Sequence, residues 1–403
     1  MNEGPDAYDW VIADAGWTWT ERLFAPLAGM GQGVLLLDVI DWGNAWRQRR
    51  PLADCIGRIV KRGPGLWRSG LALPPGWMKR APRLGMRPIS GLVRRWRRRE
   101  SASRPLVMVA AYPHYEVLAD LIKPDRLIYY NMDDYTLYWP HRAEQIARLE
   151  ESIVARADLS IVCANLRAEE LSRRVPSAAD RIWHCPHGAP ASAIPAAPQS
   201  RPAPAPSDMA DCPRPFLGFV GSLEDRLDWG LLDRLAAEFA TGTVVLIGRP
   251  PEGEGPWKAL RERENVRFLG WRDQNEIGRY NACFDVCLIP YRVDHPFNRA
   301  CCPTKIMDYM ATTRPVVTTP LPECRLYGDL FHVAEGADAF VTAVRAIVES
   351  GSDDGWARAR WEHTHAHTWE RVAASVLERV VGPGRVQVGC SARASGSAQR
   401  SRE

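Results

Sequence analysis

An alternation of short apolar runs with helical patterns, repeated twice along the chain, restricts the fold more than any other feature of the sequence. In the first half, runs of strand length occur at residues 9–12, 34–39, 106–111, 126–130, 158–163 and 181–185. The second half begins the alternation again, with runs at residues 216–220, 244–247, 266–269, 286–290 and 315–319. Strands that are separated by helices form parallel sheets. The sequence therefore predicts an α/β protein with two doubly wound parallel sheets.

A proline-rich segment separates the two series. Residues 189–215 contain eight prolines among many alanines and serines, which is typical of a linker. We expect one Rossmann-like domain at 1–190, the linker at 191–211 and a second such domain at 212–355. Because open parallel sheets bind ligands at the carboxyl ends of their strands, two such domains can face each other across a cleft. Beyond them we expect one long helix at 356–381 and a disordered tail at 382–403.

Positive charge is concentrated in one segment of the first half. Residues 43–104 contain 17 Lys and Arg but 2 Asp and Glu, whereas the whole chain has a net charge of +4. Trp67, Trp77 and Trp96 lie among these cations, which favours binding to an anionic membrane surface, with tryptophan at the level of the lipid headgroups. Nucleic-acid binding and a solvated, flexible insertion are the alternatives. We favour the membrane surface and expect no nucleic-acid partner.

The remaining composition favours a reduced, cytoplasmic protein. None of the apolar runs approaches the ~20 residues that a membrane-spanning helix needs. The N-terminus is acidic, and the ten cysteines include no C-x-x-C pair. We therefore expect a peripheral protein on the inner face of the plasma membrane. His363, His365 and His367 alternate, so on a helix at most the first and last could share a metal, and we expect no metal site.

The chemistry is concentrated in a predicted helix at 304–311. Lys305 lies in its first turn, where a cation and the helix N-terminus attract anionic oxygens such as those of a diphosphate. Asp308 follows three residues later, on the same face, where a carboxylate can accept hydrogen bonds from a ribose diol. The alternative is an ordinary exposed pair of opposite charges.

Residues 303–317 have the pattern P-x-K-x-x-D-Y-x-A-x-x-R-P-V-V. This run resembles the donor-site helix of GT-B glycosyltransferases of the group-one, family-four type. Residues 218–223, 244–248 and 265–271 agree with that family in order and spacing. In the first half, residues 130–134 resemble a segment of teichuronic-acid-type and xanthan glucuronosyltransferase-type enzymes.

The resemblance implies a nucleotide-sugar donor on the second domain, and a last helix that crosses back onto the first. Lys305 would contact the diphosphate, and Asp308 the ribose. The other donor-site positions that it implies are Gly221, Arg226 as a second phosphate cation, Arg249, and Trp271 beside the nucleobase. For Trp271, packing is the alternative. Because cations can meet the phosphate charge, neither a metal nor another cofactor is required.

The implied reaction transfers a sugar to a hydroxyl of a lipid-linked or surface polysaccharide acceptor. Retaining relatives carry a glutamate eight positions before the acid of this helix, whereas this chain has Ala300 there. That departure favours an inverting transfer, which needs a general base. Asp133 or Asp134, after the predicted strand at 126–130, is the first candidate, and Asp14 and His114 at comparable strand ends are rivals.

Two other functions remain open at this point. A catalytically inert binding protein could keep the fold, and the missing carboxylate at Ala300 allows it. A nucleotide-sugar epimerase of the same architecture would act on the donor alone, although the basic, Trp-rich segment 43–104 argues against it.

Overall fold

The structure is a computed structural model that describes residues 7–78, 82–100 and 104–382. The predicted tail at 382–403 lies outside these ranges apart from Gly382, as do Lys79 and Arg80 of the basic segment. Two separate sheets form, one in each half of the chain, and helices cover both.

The first domain contains eight strands and six α-helices in its described residues. In chain order they are β1 (Asp9–Ala13), α1 (Thr18–Phe24), β2 (Gly33–Asp41), α2 (Trp42–Arg47), β3 (Ile56–Gly63), β4 (Leu66–Leu73), α3 (Pro82–Glu100), β5 (Leu106–Ala110), α4 (Glu116–Ile122), β6 (Arg126–Asn131), α5 (Ala143–Arg156), β7 (Leu159–Val162), α6 (Asn165–Arg174) and β8 (Ile182–His184).

The second half contributes six strands, and two further helices follow it. In chain order the elements are β9 (Phe216–Val220), α7 (Trp229–Glu238), β10 (Thr243–Ile247), α8 (Trp257–Arg261), β11 (Val266–Gly270), α9 (Ile277–Cys283), β12 (Val286–Ile289), α10 (Pro296–Ala300), α11 (Lys305–Ala311), β13 (Val316–Thr318), α12 (Pro322–Arg325), β14 (His332–Val333), α13 (Ala337–Glu349), α14 (Ala357–Ala366) and α15 (Trp369–Val381).

The strand orders place the ligand-binding edges. The first sheet has the order β3-β4-β2-β1-β5-β6-β7-β8, and its neighbours are parallel except for the antiparallel pair β3–β4. The second has the order β11-β10-β9-β12-β13-β14 and is parallel throughout. The chain reverses direction across each sheet at β1 and at β9. In such folds the crevice beside these reversal points binds ligands.

Helices bury both faces of the first sheet, which explains its continuous apolar strands. Every residue of β1 and of β5 is buried. One face packs against α3, and the other packs against α1 and α15. Strands covered on both faces lack the alternation of apolar and polar residues that half-exposed strands show. The runs that predicted strands in the sequence are therefore those of an interior parallel sheet.

The described residues of the basic segment 43–104 are folded, which corrects one expectation from the sequence. It forms α2, the β3–β4 pair and α3, with Arg and Lys on the outside. Trp67, Trp77 and Trp96 are all buried, and the rings of Trp67 and Trp96 meet edge to face at 5.6 Å. The prediction that these tryptophans lie at a membrane surface is wrong, because α3 and β4 use them as the apolar side that packs on the core.

The segment 356–381 forms two helices, α14 and α15, instead of the single helix predicted. Thr368 interrupts it and accepts a hydrogen bond from the backbone N–H of Arg371, which caps α15. On either side of this break, residues 367 and 369 form backbone hydrogen bonds with Ala189. From there α15 packs on α1 of the first domain, with Leu23 and Phe24 in the same core cluster as Trp369.

A buried ion pair attaches α14 to the second domain. Arg360 is fully buried and donates two hydrogen bonds to the Asp354 carboxylate, at 2.6 and 2.7 Å. It also donates to the backbone carbonyls of Thr313 and Leu330. Burial acts to raise the pKa of Asp354, but hydrogen bonds from His332 and Arg360 outweigh it and hold that pKa below its ordinary value.

Replacing Asp354 by Asn should destabilise the protein strongly. The substitution leaves the guanidinium of Arg360 buried without its counter-charge, and breaking such a pair costs about 3 kcal/mol or more in the free energy of unfolding. Urea denaturation measures this loss. Asp338→Asn is the matched control, because Asp338 is exposed and its pair with Arg234 lies at the surface. Equal stabilities for the two variants would contradict the role given to Asp354.

Candidate active site between the two domains

Two adjoining cavities lie between the sheets, where the strands end. The second-domain cavity, of about 800 Å³, is formed by the loops after β9, β10 and β11 and by the start of α11. The interdomain cavity, of about 920 Å³, is formed by the loops after β1, β5 and β6 together with residues 291–305 of the second domain. The side chains shared by both cavities are Trp19, Ser222, Glu224, Asp225, Thr304 and Lys305. A molecule in one cavity can therefore touch a molecule in the other.

Lys305 lies at the junction of the two cavities. Its side chain is largely buried, and Nζ donates a hydrogen bond to the hydroxyl of Tyr291 at 2.6 Å. The same ammonium lies 5.0 Å from the ring centre of Phe219 and 4.9 Å from that of Tyr291, which stabilises a cation without neutralising it. An ammonium has three N–H bonds, and Tyr291 accepts from one. Lys305 can therefore also donate to an anion in the cavity.

Two glycines allow the loops after β9 and β10 to approach this lysine. Gly221 has a φ of +149°, and a Cβ there would lie 2.6 Å from Nζ of Lys305. Gly248 has a φ of +157°, and its Cβ would lie 2.0 Å from the carbonyl oxygen of Gly221. A side chain at position 248 would collide with the backbone, and one at position 221 would displace the ammonium of Lys305. The absence of side chains leaves backbone groups at the wall of the second-domain cavity.

Asp308 lies in the second-domain cavity together with Lys305, as the predicted helix requires. Its carboxylate also lies 4.0 Å from a guanidinium nitrogen of Arg22, which belongs to α1 of the first domain. Burial raises the pKa of Asp308 to about 6, although Arg22 and Lys305 act to lower it. The carboxyl group is therefore mostly ionised at neutral pH and becomes protonated in mild acid.

The structure divides the other predicted donor-site residues between the two cavities. Arg249 and Trp271 line the second-domain cavity, and Trp271 is 63% exposed. Arg226 lines the interdomain cavity instead, where it donates to the Asn298 side-chain oxygen at 2.9 Å. Its guanidinium lies 5.2 Å from the ring centre of Tyr291, the tyrosine that Lys305 also contacts. The two predicted phosphate cations are thus brought together around one aromatic ring.

The two predicted catalytic aspartates have different environments. Asp133 lines the interdomain cavity and accepts a hydrogen bond from the Tyr138 hydroxyl at 2.8 Å. Burial raises its pKa, while Tyr138 and Arg226 act in the opposite direction. Asp134 is not among the residues that line either cavity. Its carboxylate caps the following turn by accepting from the backbone and hydroxyl of Thr136, so it has a local structural role.

Of the two rivals, Asp14 faces the cleft and His114 does not line it. Asp14 follows β1 with a φ of +73°, an unusual value for a residue with a side chain, and it lines the interdomain cavity. Burial and the neighbouring carboxylate of Asp38 raise its pKa to about 7. His114 is buried and stacks on the ring of Tyr112 at 4.9 Å.

Sequence reasoning missed three residues of this region. Tyr291 lies two residues after the last residue of β12, and its place near a strand end was a usable signal. Trp19 and Arg22 lie on α1, more than 280 residues away in sequence from the helix that they meet. Only the packing of α1 on α15 brings them to the cavity, so the local pattern contained no signal for them.

Comparison with known proteins agrees with this architecture. Residues 214–350 match the family described as Glycosyl transferases group 1. Over 281 residues the chain is 23% identical to TuaH of Bacillus subtilis (strain 168), which is named as a teichuronic acid biosynthesis glycosyltransferase. This alignment spans 66% of the present chain and 70% of TuaH.

Several solved structures have the same fold over nearly the whole length. Anabaena Alr3699/HepE in complex with UDP superposes with a TM-score of 0.64 and 13% identity, covering 93% of this chain and 99% of that one. An α,α-trehalose-phosphate synthase (UDP-forming) from Burkholderia vietnamiensis gives 0.63 and 12%, with the same coverage. WaaG, involved in lipopolysaccharide biosynthesis, gives 0.59 and 13%, covering 93% and 100%. The predicted fold, two Rossmann-like domains in the GT-B arrangement, is confirmed.

Proposed function

We propose, from the premise that the chain is a glycosyltransferase whose second domain is of the group 1 type, that it transfers a sugar from a nucleotide-diphosphate donor to a hydroxyl of a lipid-linked or surface polysaccharide acceptor. The observation that carries this proposal is the convergence of Lys305, Asp308 and Gly221 on one cavity that opens into a second. The first cavity has room for a sugar nucleotide, and the second for its acceptor.

The donor is proposed to lie in the second-domain cavity. Its diphosphate would bind the ammonium of Lys305 beside the backbone of Gly221, and its ribose would bind the carboxylate of Asp308. Arg249 and Trp271 at the outer wall would border the nucleobase. Structures of HepE with UDP and with UDP-glucose support a nucleotide sugar as the ligand class. They make a uridine nucleotide the first donor to test.

The acceptor is proposed to bind in the interdomain cavity, with a carboxylate as general base. The acceptor oxygen would attack the anomeric carbon, the bond from that carbon to the diphosphate would break, and the base would take the hydroxyl proton. Lys305 and Arg226 would then balance the charge on the departing nucleotide. No step requires a metal. Among the described residues, no group of three or more His, Cys, Asp or Glu is placed to hold one.

Asp14 is better suited to be the base than Asp133, which the sequence favoured. A carboxyl group with a pKa of about 7 takes a proton more readily than an ordinary carboxylate does, and it remains half ionised at neutral pH. Asp133 accepts a hydrogen bond from Tyr138 and faces Arg226, so its lone pairs are partly engaged. We therefore propose Asp14 as the base and Asp133 as a group that orients the acceptor.

We still propose that the protein binds a membrane surface, but through residues other than Trp67, Trp77 and Trp96. Trp42, Trp46, Leu52 and Ile56 are 56%, 82%, 77% and 61% exposed, a concentration of apolar surface that is unusual for a solvated face. The exposed side chains of Arg47 and Arg49 lie in the same segment and suit anionic headgroups. In the described ranges, no helix is long and apolar enough to span a bilayer.

This lipid-facing patch, formed by Trp42, Trp46, Leu52 and Ile56, has a favourable position for a lipid-linked acceptor. Because α2 directly follows β2, the patch begins at the edge of the first sheet where its parallel strands end. The interdomain cavity lies at that same edge. A peripheral position on the inner face of the plasma membrane follows from this proposal.

The two alternatives from the sequence gain no support. The matches are to glycosyltransferases, which favours neither an inert binding protein nor an epimerase. Because Trp67, Trp77 and Trp96 are buried, the basic segment 43–104 does not itself count against an epimerase.

Replacing Lys305 by Met should abolish donor binding and transfer. UDP-, GDP- and dTDP-glucose are screened by thermal shift, and a hundredfold excess over Kd should stabilise the wild-type protein by ~2.7 kcal/mol. Lys305→Met should lose this stabilisation and at least about 100-fold in transfer rate, because the diphosphate loses its buried cation. Lys258→Met, at an exposed lysine of α8, is the control. A variant at position 305 that keeps both binding and transfer would overturn the donor-site assignment.

Replacing Asp14 by Asn should stop transfer without weakening donor binding. We expect a fall of about 100-fold or more in kcat, with donor affinity unchanged. In the wild-type enzyme kcat/KM should decline as the pH drops below about 7, because protonation of Asp14 removes the base. Asp133→Asn should keep this acid limb and raise KM for the acceptor. If Asp133→Asn loses the decline of kcat/KM at acid pH while Asp14→Asn retains it, Asp133 is the base instead.

Removing two apolar side chains from the lipid-facing patch should release the protein from anionic membranes. Co-sedimentation with vesicles of phosphatidylcholine and phosphatidylglycerol measures the bound fraction. The double variant Trp46→Ser, Leu52→Ser should bind at least about tenfold more weakly, since burial of each side chain contributes on the order of 1.5–3 kcal/mol. Leu326→Ser, at an exposed leucine of the second domain, is the control. Equal binding by both variants would refute the proposal that this patch contacts lipid.

A further inference from the structure

A guanidinium of the first domain reaches the donor-side carboxylate of the second. Nη1 of Arg22 lies 4.0 Å from Oδ1 of Asp308, and the two side chains are 22% and 15% exposed. This Nη1 is buried and has no hydrogen-bond partner among the residues that the structure describes. A charge-assisted hydrogen bond is about 2.7–2.9 Å long, so the pair stands more than 1 Å short of direct contact. The two charges face each other across the cleft.

The short helix α1 holds this arginine in a fixed place. Leu23 and Phe24 are buried in the first-domain core, where they meet α15. Trp19 and Arg22 are three residues apart and therefore share one face of the helix. Trp19 lines both cavities, and the guanidinium of Arg22 lies 5.6 Å from its ring centre. One side of α1 is thus anchored in the core, and its other side faces the two cavities.

The charges around Asp308 come from both domains. Lys305, on the same helix, and Arg22, on α1, are the cations that act on its carboxyl group. The hydroxyl of Tyr309, from the next position of α11, is buried and bonded to the backbone N–H of Val220. The remaining charged side chains of the second-domain cavity are Glu224, Asp225, Arg249, Glu252 and Arg272. When a donor diphosphate occupies Lys305, the positive charge left for Asp308 is that of Arg22.

We propose that Arg22 is a positioning residue for the donor: it holds Asp308 as an anion, able to accept hydrogen bonds from both ribose hydroxyls, while Lys305 is occupied by the diphosphate. The inference rests on the proposed function and deepens it, because it makes the donor site complete only when the two domains are together. A donor in place then strengthens the attraction between the domains before the acceptor reacts.

The consequence is a defined dependence of donor binding on pH. A protonated Asp308 donates one hydrogen bond and loses acceptor capacity, so donor affinity should fall as the pH drops through about 6. Removing the cation at position 22 should raise the pKa of Asp308, because Arg22 acts to lower it. The fall in affinity should then begin at a higher pH. A role of Arg22 in folding alone would shift no titration.

The test measures binding of UDP-, GDP- and dTDP-glucose by calorimetry between about pH 5 and 8. Sugar nucleotides are the right probes, because their diphosphate is a diester, whereas a free nucleoside diphosphate ends in a phosphate monoester with a second pKa of about 6. The variants are Arg22→Gln, Arg22→Lys, Asp308→Asn and the combination of Arg22→Gln with Asp308→Asn. Arg371→Gln, at an exposed arginine of α15, is the control.

Four results are expected if the inference is correct. Arg22→Gln should weaken binding about tenfold near pH 7 and move the acid limb to higher pH, and Arg22→Lys should restore most of both. Asp308→Asn should abolish the limb, and adding Arg22→Gln to it should cost nothing more, since interacting residues are not additive. Equal losses at every pH, or additive losses in the double variant, would overturn the role of Arg22. Wild-type protein that binds none of the three sugar nucleotides would instead refute the proposed function, and this inference with it.

Discussion

The buried ammonium of Lys305 is the feature on which the rest of the cleft depends. Its contacts in the described residues are the hydroxyl of Tyr291 and the ring faces of Phe219 and Tyr291, none of which carries a negative charge. A cation removed from water and surrounded by neutral groups is stable only if its remaining N–H bonds meet water or an anion. The fold therefore leaves N–H bonds of a buried ammonium available to a ligand where the two cavities meet.

The geometry of parallel sheets brings the candidate residues at the strand ends of both domains to the cleft around that lysine. The parallel strands of each sheet end at one edge, and the two edges face each other. Contacts between the two domains hold these edges opposite each other. Glu323 of the second domain accepts a hydrogen bond from the backbone N–H of Asn165 at 2.8 Å and lies 3.0 Å from the His184 ring nitrogen, while α15 packs on α1. Side chains at the strand ends of different domains therefore meet in one cleft.

The basic segment shows how composition can mislead when burial is unknown. Cations interleaved with tryptophan suggested an interfacial surface, but the spacing of Trp96 on α3 reflects the face that packs on the sheet. The same segment nevertheless exposes Trp46 and Leu52. A tryptophan count alone cannot separate these roles, because both a core helix and a membrane contact use large apolar side chains among arginines, and only solvent exposure distinguishes them.

The sequence by itself determined the α/β class with two parallel sheets, and the place of Lys305 and Asp308 on one helix face. These are consequences of local periodicity and of spacing within one turn, which do not depend on distant residues. Only the tertiary structure decided that Arg226 lines the interdomain cavity, that Asp14 faces the cleft while Asp134 caps a turn, and that Arg22 lies near Asp308. These outcomes depend on contacts between residues far apart in the chain, and no local pattern encodes which strand ends and helices will share a cavity.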